Sequence, residues 1–163
     1  MMYGSSTKTT FYDIGGGDKI RGIWSSYYHD VHGVIYVIDA STMNEKKYEK
    51  SLKVAKEELG HNYLEGKPLL VFCNKFDEPS AACRQIEHIQ QDMNLIIREG
   101  GRVMIKGVSL HPKNQDGEVD PTIDDSLEWL ITTVLSDWDD LRERVSLEMK
   151  ENDDSRHHKQ VRL

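Results

Sequence analysis

No stretch of this chain approaches the roughly 20 apolar residues that a membrane-spanning helix needs. Residues 1–10 are polar and lack the apolar centre of a signal peptide. Positive charge is scarce: 21 Lys and Arg face 28 Asp and Glu, for a net charge of −7. That balance argues against a nucleic-acid-binding surface. There are two cysteines, Cys73 and Cys83, one in a candidate strand and one in a candidate helix. They read as reduced thiols of an intracellular protein. No Cys/His spacing suits zinc, and His157-His158 sits in a charged tail as a solvated pair. The chain holds no serine elbow, no catalytic His/Asp arrangement, no dinucleotide fingerprint, no internal repeat and no low-complexity segment.

What is present suits one lean domain: 163 residues, 37% hydrophobic and 30% charged. Residues 9–12 form a short β-prone run ending at Asp13. Residues 33–39, Gly-Val-Ile-Tyr-Val-Ile-Asp, and residues 67–73, with Pro-Leu-Leu-Val-Phe-Cys, are continuous apolar runs. They predict strands covered on both faces, as in a parallel sheet. Residues 44–61 carry a helical stripe of Tyr48, Leu52, Ala55 and Leu59. Residues 80–98 are mostly helical and end at Gly100-Gly101. Residues 102–108 form another short strand, and 109–120 a polar loop. Asp120-Pro121 then opens a helix with Pro at its first position. Its stripe runs Leu127, Ile131, Val134, Trp138, Leu141, Val145, and predicts one helix over 122–150, about 43 Å long at 1.5 Å per residue. The expected fold is α/β, a mostly parallel sheet flanked by helices with function in the loops at the strand ends.

Two motifs carry chemistry. Asn74-Lys75-Phe76-Asp77 directly follows a predicted buried strand. A carboxylate there can accept hydrogen bonds from the two N–H groups on guanine's edge, and adenine, lacking that donor pair, leaves it unsatisfied. The stem of Lys75 can cover the base face, and the Asn74 amide can brace neighbouring loops. Ser109, after the next strand, stands where a second base-contacting loop offers backbone N–H groups. Upstream, Asp13-Ile14-Gly15-Gly16-Gly17 resembles a phosphate-sensing switch. Asp13 can hold Mg²⁺ through water, and the N–H of Gly16 can approach a γ-phosphate that a side chain would obstruct. Where a glutamine commonly orients the attacking water, Gly17 has no side chain, so hydrolysis is expected to be slow and no residue is assigned as catalytic. Trp24, Tyr27 and Tyr28 cluster as either a partner-binding face or sheet packing.

Residues 13–28 resemble the second switch of the ADP-ribosylation-factor group of small GTPases. Gly17 in place of the usual glutamine and Gly22 in place of the usual proline are similar to the Arf-like thirteen subfamily, the ciliary small GTPases. Residues 134–144 resemble that subfamily's helical extension. The resemblance implies a G domain of the P-loop NTPase type over residues 1–135 and a helical extension over 136–150; residues 151–163 read from their charge as a disordered tail. It implies GTP/GDP and Mg²⁺ as cofactors, a role as a molecular switch in ciliary membrane traffic, and another Arf-like GTPase or effector as partner, met through Trp24, Tyr27, Tyr28 and the C-terminal helix. Carried onto this chain, Asp13 and Gly16 match the phosphate switch, Asn74, Lys75 and Asp77 the base loop, and Ser109 the second base loop.

No Gly-x-x-x-x-Gly-Lys-Ser/Thr loop is found; Gly4-Ser5-Ser6-Thr7-Lys8-Thr9 lacks the second glycine and leads into a strand rather than a helix. The family's cysteine-bearing membrane anchor and first strand likewise have no counterpart. Without that strand both of its neighbours expose unpaired backbone groups, and the nest of N–H groups for the β-phosphate is lost. The chain alone is therefore expected to bind GTP weakly or not at all. Two readings stay open: a GTPase seen here through an N-terminally truncated sequence, or a short non-catalytic interaction module that binds no nucleotide.

Overall fold

A computed structural model describes residues 7–41, 45–76, 86–93, 102–110 and 120–160, with side chains to 154. In chain order the elements are α1 (Asp18–Arg21), β1 (Val34–Asp39), α2 (Glu45–Leu59), β2 (Leu69–Asn74), α3 (Ile86–Met93), β3 (Val103–Val108), α4 (Pro121–Ser136) and α5 (Trp138–Gln160). Short 3₁₀ turns occupy Trp24–Ser26, Tyr28–Asp30 and Asn62–Leu64.

The strands form one parallel sheet in the order β1-β2-β3, with Val34 opposite Leu69 and Leu69 opposite Val103. β2 is central, and alternation along it divides the core. Leu69, Val71 and Cys73 face Tyr48, Ala55, Ile89 and Met93 of α2 and α3. Leu70 and Phe72 face Leu130 and Leu127 of α4. Burying both faces is why this segment reads as an unbroken apolar run. Cys73 is a free, buried thiol, and burial pushes its pKa up to about 12; Cys83 lies outside the described residues. The expected α/β architecture is what the chain adopts.

Three expectations change. Residues 9–12 are not a strand: they pair with no described strand, and Phe11 is 58% exposed. Strand propensity is realised only where a neighbouring strand supplies hydrogen bonds. The consequence appears on β1. The N–H groups of Val34 and Ala40 donate to Pro68 and Asn74 on the β2 side, so the backbone groups of Ile35 and Val37 point to the opposite edge. No described strand pairs there, and Val37 is 48% exposed. A cavity of about 1180 Å³ opens between this edge, the 7–14 segment, α2 and α4.

Second, the single helix expected over 122–150 is two. Asp137, at φ −112° and ψ 21°, ends α4, and α5 begins at Trp138. Arg102 meets the break, with an ion pair to Asp137 at 3.2 Å and a hydrogen bond to Ser136 Oγ at 2.6 Å. The apolar stripe crosses the break unchanged, which is why spacing alone hides it. Third, the tail expected to be disordered from residue 151 continues as helix to Gln160.

α5 folds back onto the domain. Leu141 and Val145 are buried. Beside them Lys67 Nζ, its side chain fully buried, donates to Glu148 Oε2 at 2.7 Å and to the Tyr28 carbonyl at 3.0 Å. Burial lowers the Lys67 pKa, and the Glu148 carboxylate opposes that shift.

Gly107 in β3 marks the tightest contact. A Cβ there would lie 2.6 Å from ring carbons of Phe76, so glycine lets the ring of the base-loop motif lie flat on the sheet. Gly107→Ala is expected to cost about 1–3 kcal/mol by overpacking. Urea unfolding checks this; an unchanged midpoint would contradict the packing of Phe76 on β3.

Candidate functional site

The C-terminal ends of the three parallel strands lie side by side, with Asp39, Asn74 and Val108 in register. In open parallel sheets this is where ligands bind. Asn74 ends β2 and turns its amide inward on the loops: Oδ1 accepts the N–H of Lys75 at 2.8 Å and of Leu110 at 3.0 Å. The N–H of Phe76 donates to the Val108 carbonyl at 3.2 Å. One side chain thus ties the loop after β2 to the loop after β3. Lys75 takes a left-handed conformation, φ 65°, an uncommon state for a non-glycine residue.

Lys75 Nζ reaches Asp39 Oδ2 at the end of β1, 2.7 Å away. Asp39 Oδ1 accepts the Ser41 N–H at 3.0 Å. Burial tends to raise the Asp39 pKa, but the bonds from Lys75 and Ser41 outweigh it and hold the carboxyl below its usual range. The lysine stem therefore spans the strand ends, an apolar strip beside a fixed charge. Ser109 is buried, and its N–H donates to Asp120 Oδ2 at 3.2 Å. Asp120 also caps α4 through the Thr122 N–H at 3.0 Å. Asn74, Lys75 and Ser109 are thus brought together. Asp77 lies outside the described residues.

Asp13 and Gly16 are not part of that cluster. They line the cavity beside β1, in the exposed segment before α1. A Cβ at Gly16 would meet nothing. Among the described residues no group of three His, Cys, Asp or Glu could hold a metal. One carboxylate at Asp13 fits Mg²⁺ bound chiefly through nucleotide phosphates and water, not a metal caged by protein alone.

The aromatic trio separates. Trp24 packs partly against the core and donates Nε1–H to the Gly15 carbonyl at 3.1 Å. Tyr27 packs on Tyr12 at a tilt, with ring centroids 5.1 Å apart. Tyr28 is 7% exposed and donates to Glu58 Oε2 at 2.5 Å. Burial, then the Glu58 carboxylate, raises its pKa. Tyr28 is a core residue, so its expected place on a partner face is corrected. The exposed apolar side chains of this segment are Ile20 and Ile23, which three-residue spacing could have signalled. Asp39 was legible only as the acidic end of a strand run. The Lys67–Glu148 pair carried no sequence signal.

The sequence profile of the ADP-ribosylation factor family matches residues 2–134. ADP-ribosylation factor-like protein 13B of Chlamydomonas reinhardtii is 32% identical over 144 residues, which are 88% of this chain and 26% of that protein. The protein of the same name from Caenorhabditis elegans is 39% identical over 74 residues, 45% of this chain and 20% of its own. The chain thus spans about a quarter or less of these relatives. Among solved structures, the Arl6 (BBS3) small GTPase of Trypanosoma brucei with bound nucleotide analogue GppNp aligns at a TM-score of 0.58. That alignment is 23% identical and covers 75% of this chain and 69% of the other. At that identity the likeness concerns the fold. Among the described residues no helix is long and apolar enough to cross a membrane.

Replacing Asn74 with alanine removes the acceptor shared by two loops. The expected cost is about 1–3 kcal/mol for the amides left unpaired, with faster amide exchange at Lys75 and Leu110. Exchange mass spectrometry reads this directly. Unaltered protection at both positions would contradict the bracing role.

Proposed function

The chain belongs to the ADP-ribosylation factor family, and on that premise we propose that it is a guanine-nucleotide-dependent switch acting in ciliary membrane traffic. The observation that carries this reading is the braced loop at the strand ends. Asn74 locks the Lys75 and Leu110 loops together, and the Lys75 stem spans from β2 to Asp39. Such a site has a fixed apolar strip for a purine face, and the sequence motif that Asn74 and Lys75 open ends at Asp77, a residue type whose carboxylate suits the guanine edge. Asp13 is assigned to Mg²⁺ through water and Gly16 to the terminal phosphate. Bound GTP or GDP with Mg²⁺ supplies the charge that orders the switch; the protein's own part is to read the base and to move residues 13–27. Turnover is slow, because Gly17 offers no group to orient water.

The ciliary assignment rests on the resemblance of Gly17, Gly22 and residues 134–144 to the Arf-like thirteen subfamily, and the similarity to the 13B proteins supports that subfamily. The proposed partner is another Arf-like GTPase or an effector, met by the α1 region through Trp24 and Tyr27 and by the helical extension over 136–150.

The base-reading role is tested by Asp77→Asn. In the unaltered chain GDP should be preferred over XDP. The variant should reverse that preference by about 10²-fold or more, because the edge donors and acceptors exchange roles. Competition between the two diphosphates against a fluorescent guanine nucleotide measures the ratio. A ratio unaffected by the substitution would contradict the assignment.

A further inference from the structure

One buried cation joins two parts of this chain that lie far apart in sequence. Lys67 precedes β2, and its ammonium reaches no solvent. Its acceptors are the main-chain carbonyl of Tyr28, 3.0 Å away, and Glu148 Oε2 of α5, 2.7 Å away. Tyr28 opens the 3₁₀ turn that directly follows residues 13–27, the segment read above as the switch. Around this junction, α5 presents one stripe of polar side chains spaced four residues apart. Arg144 Nε donates to Glu148 Oε1 at 2.6 Å, and the same guanidinium donates to the carbonyls of Asn62, at 2.9 Å, and Glu65. Glu148 holds Lys67. Asn152 Nδ2 lies 3.0 Å from His29 Nε2 in the same 3₁₀ turn. Leu141 and Val145 are buried beside the stripe.

A buried ammonium that loses an acceptor keeps a charge in low dielectric with no water to replace the bond. Displacing the Tyr28 carbonyl by an ångström or two therefore penalises the Lys67–Glu148 pair, and pulling α5 away removes the counter-charge from the cation that holds Tyr28. The two motions share a free-energy term and are linked in both directions. His29–Asn152 adds a second tie between the same two elements.

We propose that Lys67 couples the docking of α5 to the conformation of the switch segment, so that a guanine triphosphate drawing Gly16 toward its terminal phosphate loosens α5. This rests on the nucleotide-switch reading for its trigger, while the coupling itself belongs to the fold. The reciprocal holds: releasing α5 frees residues 24–30.

The test is amide hydrogen exchange on the full chain, first without nucleotide. Lys67→Met removes the cation, and Glu148→Gln keeps the volume of α5's contact while removing its charge. Both should raise exchange about tenfold or more over residues 141–152 and 24–30 together, with β2 still protected. Glu148→Gln, the milder change, carries the test if Lys67→Met does not fold. A rise confined to α5, with residues 24–30 as protected as before, would overturn the coupling. GppNp is then added to the unaltered protein, with occupancy followed separately by displacement of a fluorescent GDP. Loosening of residues 141–152 on binding supports the proposal. Binding that alters residues 18–30 and leaves α5 unchanged would contradict it. Absence of binding would strike the guanine reading alone, because the two variants probe the linkage with no nucleotide present.

Discussion

β2 is paired on both edges and covered on both faces, and the rest of the molecule hangs from that constraint. Six residues, Leu69 to Asn74, hold β1 and β3 in register and send alternate side chains into two separate cores. The two functional devices sit at its ends. Lys67, just before the strand, clasps α5 and Tyr28. Asn74, its last residue, clasps the two loops of the candidate base site. The strand sets the distance between them, with α2 and α3 packed on one of its faces and α4 on the other.

The site comes in two halves of unequal order. The half proposed to read the base is built from bonded loops at strand ends, tied from β2 to β1 by Lys75–Asp39 and from β2 to the loop after β3 by Asn74–Leu110. The half proposed to meet phosphate, with Asp13 and Gly16, lies in an exposed segment along the cavity beside β1. An edge strand with its backbone groups turned to a cavity, and Val37 uncovered on it, is an unsaturated feature. On the proposed reading, base selectivity resides in the first half and nucleotide affinity in the second.

Much of this was legible in the residues, and what was not has physical reasons. The strands at 34–39 and 69–74 could be read because burial on both faces writes an unbroken apolar run. The Asn74 brace followed from a short polar motif placed after such a run. Residues 9–12 misled because β propensity describes a preference that only a partner strand makes real. The break at Asp137 was hidden because an apolar stripe can continue in register through a single non-helical residue, and the residue that contacts it, Arg102, comes from another part of the chain. Tyr28 resembled its neighbours Trp24 and Tyr27 in type, and only packing against Glu58 and His61 distinguishes it. The Lys67–Glu148 pair joins residues with no periodic or motif relationship, so no local reading finds it. Asp77, the residue on which the base reading leans most, lies outside the described residues.

The central claim is that the strand-end loops recognise guanine. The most direct measurement is a two-dimensional amide NMR titration of the full chain with GDP and, separately, ADP, both with Mg²⁺. Guanine recognition predicts that GDP shifts the amides of Asn74, Lys75 and Leu110 at concentrations where ADP leaves them in place. Equal shifts from both nucleotides, or shifts from GDP that spare these residues, would contradict it.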